Sequence, residues 1–302
     1  MAKIALKLEQ AIRLRAANGT PGEARPRVLA EGPGWAIADV VCTCGPQDRS
    51  FEEQFSNYTI ALVTAGSFQY RSPLGCEFMS PGSLVLGNAG QYFECGHEHA
   101  PGDCCLAFWF TLEYFEQLAI DAGARTLNLP ALRLPPMRDL SPLSARAQAA
   151  LHNSELNGTS ALRKTDWEEI SQELAVTAIR LAHQIDSSGK ESIATPSAIS
   201  RVTRAVRAIE QQMDEALTLE SLAAHARLSP YHFLRLFRQL TGLTPHQYIL
   251  RARLRESAVR VNSEPAKILD IALDSGFGDV SNFNRAFRTE FGVSPRAFRS
   301  EA

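Results

Sequence analysis

Residues 268–299 read Ile-Leu-Asp-Ile-Ala-Leu-Asp-Ser-Gly-Phe-Gly-Asp-Val-Ser-Asn-Phe-Asn-Arg-Ala-Phe-Arg-Thr-Glu-Phe-Gly-Val-Ser-Pro-Arg-Ala-Phe-Arg. Two short helices with a Gly-containing turn fit this stretch. Leu269, Ile271, Ala272 and Leu273 form an apolar stripe on the first. Ser275-Gly276-Phe277-Gly278 interrupts it, because Gly accepts the backbone angles of a tight turn. Asp279 is placed to cap the second helix. There Phe283, Ala286, Phe287 and Phe291 recur at helical spacing and are expected to face inward. Ser281, Asn284, Arg285 and Arg288 fall on the other faces, and Gly292 ends the helix. A helix-turn-helix has this form: one helix braces, and the next offers Arg and Asn to base edges in a major groove. Alone, the pattern would fit an ordinary buried helical hairpin equally well.

It does not stand alone. Phe233, Arg235, Phe237, Arg238, Gly242 and Pro245 precede Phe283, Arg285, Phe287, Arg288, Gly292 and Pro295 by fifty residues each. Tyr248 stands opposite Phe298, and Leu222-Ala223 opposite Ile271-Ala272 at an offset of forty-nine. Chance rarely yields two copies of one supersecondary unit.

The residues that carry a family resemblance are now in view. They are Leu219-x-x-Leu222-Ala223, Leu228-Ser229-Pro230, Phe233-x-Arg235-x-Phe237-Arg238 and Gly242-x-Thr244-Pro245, followed by Ile271-Ala272, Gly276-Phe277-x-Asp279-x-Ser281-x-Phe283-x-Arg285-x-Phe287-Arg288 and Gly292-x-Ser294-Pro295. Residues 198–302 resemble the DNA-binding domain of the AraC/XylS family of bacterial transcription regulators. The resemblance implies a sequence-specific DNA-binding regulator, usually an activator that touches RNA polymerase, commonly a homodimer, and controlled by a small-molecule effector. It implies no enzymatic activity and no catalytic residue.

The chain has 302 residues, room for two domains with sizeable cores. Net charge is −2 overall. From Ala198 onward the Lys+Arg over Asp+Glu balance is +4, and the remainder carries −6. A mildly basic C-terminal part suits phosphate contact. No apolar run approaches membrane-span length. Lys3, Lys7, Glu9, Arg13 and Arg15 rule out a signal peptide and leave a short amphipathic helix. The expected location is the cytoplasm, with the six cysteines as thiols or metal ligands.

Taken in order, residues 18–34 read as a Gly/Pro/Arg-rich loop. Residues 35–44, 58–63, 67–71, 77–80, 83–86, 91–95 and 104–111 read as strands, with 51–55 ambiguous. Ala65-Gly66 reads as a hairpin turn. Many short strands with Gly/Pro turns suggest a barrel or sandwich. The run 81–90 resembles the cupin-like sensory domains of the same family. Residues 112–122, 141–155 and 165–185 read as helices, the second capped by Ser141 with Pro142 in its first turn. In the third, Ile170, Leu174, Thr177, Ala178, Leu181 and Ile185 make a stripe that can pack on its own barrel or on a second subunit. Residues 186–196 read as a linker. Seven helices are expected beyond it, including a linking helix over 245–262 that holds the two units apart.

The expected class is therefore α+β. A cupin-like β-barrel sensory domain occupies 1–130, a helical connecting and dimerisation segment 131–190, and an all-α DNA-binding domain of two helix-turn-helix units 191–302.

Off the buried stripes lie the candidates for DNA contact: Tyr231, His232, Leu234, Arg235 and Arg238, then Ser281, Asn282, Asn284, Arg285 and Arg288. Arg235 and Arg285 suit guanine, Asn284 adenine, and Leu234 a thymine methyl. Ser229, Arg238, Ser281, Asn282 and Arg288 suit phosphates. A solvated helix face is the competing reading for each.

One further cluster reads Cys95-Gly-His97-Glu-His99-Ala-Pro-Gly-Asp103-Cys104-Cys105. In a strand, Cys95, His97 and His99 share a face. Thiolates with imidazoles suit zinc or another transition metal such as copper(I) or nickel, although no cofactor is required. Cys42-x-Cys44 repeats the spacing elsewhere. His97-x-His99-x-x-x-Asp103 loosely resembles the metal motif of cupin enzymes, which keeps a metalloenzyme fused to a DNA-binding domain as the alternative. The plainer reading makes the cysteines small apolar core groups.

Overall fold

The structure, a computed structural model, describes residues 3–50, 52–157, 164–185, 195–213 and 217–300. Most of the expected linker, 186–194, lies outside these residues. The chain opens with α1 (Lys3–Asn18). Then follow β1 (Ala24–Gly32), β2 (Trp35–Cys42), β3 (Glu52–Gln54), β4 (Tyr58–Gly66), β5 (Phe68–Ser72), β6 (Gly75–Met79), β7 (Leu84–Gly87), β8 (Tyr92–Gly96) and β9 (Asp103–Phe110). Next come α2 (Leu112–Asp121), β10 (Arg133–Leu134), a 3-10 turn at Arg138–Leu140, α3 (Ser141–Asn157) and α4 (Lys164–Gln184).

The strands form a six-stranded sheet, β1-β2-β9-β4-β7-β10, and a four-stranded sheet, β3-β8-β5-β6, both antiparallel. Side chains alternate across the larger sheet. Ile37, Ile60, Leu62, Leu106 and Phe108 point to one face and are buried with Phe115 and Leu118 of α2, Leu151 of α3, and Trp167 and Leu174 of α4. Burying each such side chain contributes about 1.5–3 kcal/mol. Ala61, Val63, Cys105 and Ala107 point to the other face and meet Phe68 and Tyr70 of the smaller sheet.

Three expectations change here. The loop expected at 18–34 contains β1, an edge strand paired with β2 from Ala24↔Cys42 to Gly32↔Trp35. Its Arg, Pro and Glu residues are those an exposed edge tolerates, so composition hid it. Ala65-Gly66 does not join a hairpin. β4 pairs with β7 and β9, whereas β5 pairs with β6 and β8. Gly66, with φ +77°, turns the chain from one sheet into the other. Ser141 is not a cap either. The preceding 3-10 turn makes it the first residue of α3, with its hydroxyl oxygen 3.2 Å from Met137 O. The α4 stripe packs within the chain: Ile170, Leu174, Ala178 and Leu181 belong to the core against the larger sheet, and Thr177 and Ile185 are half-buried.

Seven helices follow among the described residues: α5 (Pro196–Gln211), α6 (Leu219–Ala226), α7 (Pro230–Thr241), α8 (Pro245–Ser263), α9 (Ile268–Asp274), α10 (Val280–Phe291) and α11 (Pro295–Ser300). Their punctuation is local. Thr195, Thr218, Ser229, Thr244 and Asp279 each cap a helix through a side-chain oxygen that accepts a backbone N–H. Gly242 and Gly292 close α7 and α10 in the left-handed conformation. α8 joins two cores. Its Tyr248, Ile249 and Ala252 pack with Phe233 and Phe237, and its Leu254, Ala258 and Val261 with Phe283 and Phe287. Phe78 of β6 enters the first of these cores and Ala145 of α3 the second. In α9 the expected stripe splits. Ile271 and Ala272 are buried, while Leu269 and Leu273 are 47% and 48% exposed, since seven residues offer too narrow an inward face for all four.

Candidate nucleic-acid interface and inter-sheet cavity

α7 and α10 present the same pattern. In α7, Phe233, Phe237 and Leu240 are buried. Tyr231, His232, Arg235 and Arg238 are exposed, and Leu234 is half-buried. In α10, Phe283, Phe287 and Phe291 are buried, and Ser281, Asn282, Asn284, Arg285 and Arg288 are exposed. Arg285 Nη2 donates to Asn282 Oδ1 at 3.3 Å. The Ser229 hydroxyl caps α7. Within the helices themselves there is no exposed acid: α7 has none, and the one acid of α10, Glu290, is buried, while the exposed Asp279 flanks α10 as its cap and spends its carboxylate on Asn282 N–H. Both outer faces therefore offer cationic and amide donors without a competing carboxylate on the same helix, as a phosphate-lined groove requires.

A cavity of about 510 Å³ lies between the two sheets of the N-terminal part. Phe55, Phe68, Tyr70, Phe93 and Trp109 supply aromatic wall, and Cys42, Cys95, His97, Asp103 and Cys105 line another part. The expected trio of Cys95, His97 and His99 does not come together as such. β8 ends at Gly96, so strand alternation stops before His99, which stays outside the cavity lining. His97 instead meets residues from β2 and β9. Cys42 stands across the ladder from Asp103. His97 Nε2 and Asp103 Oδ1 lie 2.7 Å apart, and Cys105 Sγ donates to Asp103 Oδ2 at 3.2 Å. One ligand atom each from Cys42, His97 and Asp103 lies within 4.8 Å of the others. Burial pushes the Cys42, Cys95 and Cys105 thiols up, and Asp103 adds to the shift in each. Such thiols are poor nucleophiles. Two close approaches hold the loop in place. Gly102 N–H donates to Cys44 O at 2.7 Å, and Arg15 Nη1 donates to Thr43 O at 2.6 Å.

A family model described as "Helix-turn-helix domain" matches residues 222–301. The HTH-type transcriptional regulator ArgR of Pseudomonas aeruginosa is 30% identical over 156 residues, 50% of this chain and 42% of the relative. The right origin-binding protein of Escherichia coli is 37% identical over 91 residues, 30% of this chain and 32% of the relative. The chain thus spans less than half the length of these two relatives. The DNA-binding domain of AdpA, solved with a target DNA, is 28% identical, covers 33% of this chain and 91% of its own, and gives a TM-score of 0.33. A solved structure of ToxT from Vibrio cholerae is 13% identical over 88% of this chain and 97% of its own, with a TM-score of 0.33. The chain carries an AraC-type helix-turn-helix domain. ArgR, PocR and MtrA are named as regulators and the Escherichia coli relative as an origin-binding protein, none of them as an enzyme.

The AraC-type domain is docked on the N-terminal part through groups that the sequence did not reveal. Glu290, at the end of α10, accepts from Ser141 Oγ at 2.5 Å and pairs with Arg251 at 3.2 Å and Arg138 at 3.8 Å. Arg133 Nη1 donates to Thr241 O at 3.3 Å, and Arg251 to Pro136 O. Glu210 of α5 encloses its Oε1 completely, and burial pushes its carboxyl up to about 8. The charges of Arg255 and Arg207 and the Gly66 backbone N–H pull against this. The overlooked signal for Glu290 was its spacing: it stands three residues after Phe287, on the inward stripe.

Proposed function

We propose that the chain is a transcription regulator in which the AraC-type domain grips double-stranded promoter DNA and the N-terminal domain senses an effector. The observation that carries this reading is the pair of acid-free outer faces on α7 and α10, braced by the shared helix α8. Two recognition helices on one rigid strut suit successive major grooves on one face of DNA. In this reading Arg235 and Arg285 pair with guanine, Asn284 with adenine, and Leu234 touches a thymine methyl. Tyr231 and His232 lie alongside them, and Ser229, Arg238, Ser281, Asn282 and Arg288 hold phosphates.

The cavity between the sheets supports a cupin-like sensory domain over 1–130, with 131–190 connecting it to the reader. RNA polymerase contact and activation follow from the family resemblance. The α4 stripe is used on the chain's own sheet, so a homodimer would form through another face. The metalloenzyme alternative gains nothing from the named relatives.

Affinity of the full chain for its promoter DNA, by fluorescence anisotropy at fixed salt, tests the reading. Arg235→Ala and Arg285→Ala should each cost about 1–3 kcal/mol and relax preference at one base pair. Equal weakening on every sequence would reduce both residues to phosphate contacts, and no binding by the parent chain would sink the reading.

A further inference from the structure

We propose that Cys42, His97 and Asp103 form a binding site for zinc at the wall of the cavity. Three observations carry it. First, the three ligand atoms lie within 4.8 Å of one another and all three residues are buried. Around a tetrahedral zinc ion, ligand atoms stand roughly 3.5 Å apart, so a shift of about 1 Å would close the set. Second, His97 is 5% exposed, and its Nδ1 has no hydrogen-bond partner while Nε2 faces Asp103. A buried imidazole normally spends both nitrogens, and the unused one is what metal ligation requires of histidine. Third, the site is built by long-range structure. β2 brings Cys42, β9 brings Asp103 across the ladder, and the loop after β8 brings His97 under the Phe68 ring at 5.7 Å.

The donor set selects the ion. Thiolate and imidazole favour a borderline-soft cation, and the carboxylate favours a divalent one, which together fit zinc better than copper(I). Three protein ligands leave a fourth position. The Cys44 side chain hydrogen-bonds with that of Cys42, and Cys105 bonds to the Asp103 carboxylate. Binding releases the Cys42 thiol proton to solvent and separates the His97–Asp103 contact. The site stands on geometry alone. Its use as the sensed signal rests on the regulatory reading above.

The test uses the full chain, reduced and purified without a tag, titrated with cobalt(II) as a spectroscopic stand-in and then with zinc. One equivalent should bind and give thiolate-to-cobalt charge-transfer absorption with the strong visible bands of a tetrahedral ion. Cys42→Ser should abolish the charge-transfer band, and His97→Gln and Asp103→Asn should each weaken binding at least tenfold. The exposed Cys76→Ser, outside the cavity, should bind as the parent does. Should a variant fail to fold, proton release by the parent decides: in weak buffer, one equivalent of zinc should displace the Cys42 thiol proton, read with a pH indicator. No binding, a band that survives Cys42→Ser, or zinc uptake without proton release would overturn the site. Promoter binding is followed in parallel, so a lost ion site with intact DNA binding leaves the regulatory reading standing.

Discussion

Gly66 stands directly across the β4–β9 ladder from Asp103. The cavity carboxylate and the domain interface thus share a backbone position, because the Gly66 N–H also acts on Glu210 of the AraC-type domain. A Cβ at Gly66 would run into the Gly102 carbonyl and come within 2.8 Å of Asp103 Cα, and its φ is +77°.

Gly66→Ala should therefore destabilise the protein by about 1–3 kcal/mol, from left-handed strain plus a backbone clash. Urea unfolding should show a lower midpoint with an unchanged slope.

Glu210 should make stability depend on pH. The folded carboxyl holds its proton up to about 8, against 4.5 for an unburied one. Between those values the unfolded state sheds a proton that the folded state keeps, so stability falls as pH rises from 4.5 towards 8 and levels off above. Melting temperatures across that window should decline in the parent and flatten in Glu210→Gln. Charged neighbours Arg207 and Arg255 stay in both proteins, which isolates the carboxyl.

Glu290→Gln keeps the shape of the side chain and removes its charge. The bond from Ser141 and the pair with Arg251 both weaken, at about 2–3 kcal/mol. The exposed Arg138, 3.8 Å away, adds little. Urea midpoints should fall, and a Ser141→Ala, Glu290→Gln double variant should lose less than the sum of the two.

Asp279 accepts from Asn282 N at 2.7 Å at the start of α10. Asp279→Ala should cost about 0.5–2 kcal/mol. Helicity by circular dichroism should drop slightly, and promoter affinity should drop with it as Ser281 and Asn282 lose their fixed backbone.

From α6 onward the C-terminal helices were largely legible because their signals are local. Thr218, Asp279 and Gly292 each mark a boundary by backbone chemistry that needs no partner elsewhere. Ser229, read for phosphate contact, caps α7, and Pro196, read as the end of the linker, is already the first residue of α5. In the N-terminal part the strands could be read but their pairing could not. Whether Gly66 closes a hairpin or crosses between sheets depends on β9, whose Asp103 is thirty-seven residues away in sequence. Cys42 and Asp103 look unrelated until register sets them side by side. β1 and Glu290 were missed for a common reason: a charged residue signals solvent unless the element that covers it is known.

Phe78 of β6 and Ala145 of α3 fill places in the two cores of the AraC-type domain. That domain is therefore not an interchangeable cassette. Cut free, it would carry two raw sockets, each an apolar scar on a surface built to be covered. A hybrid that grafts it onto another N-terminal partner would need a matching plug for both sockets, or it would inherit their stickiness.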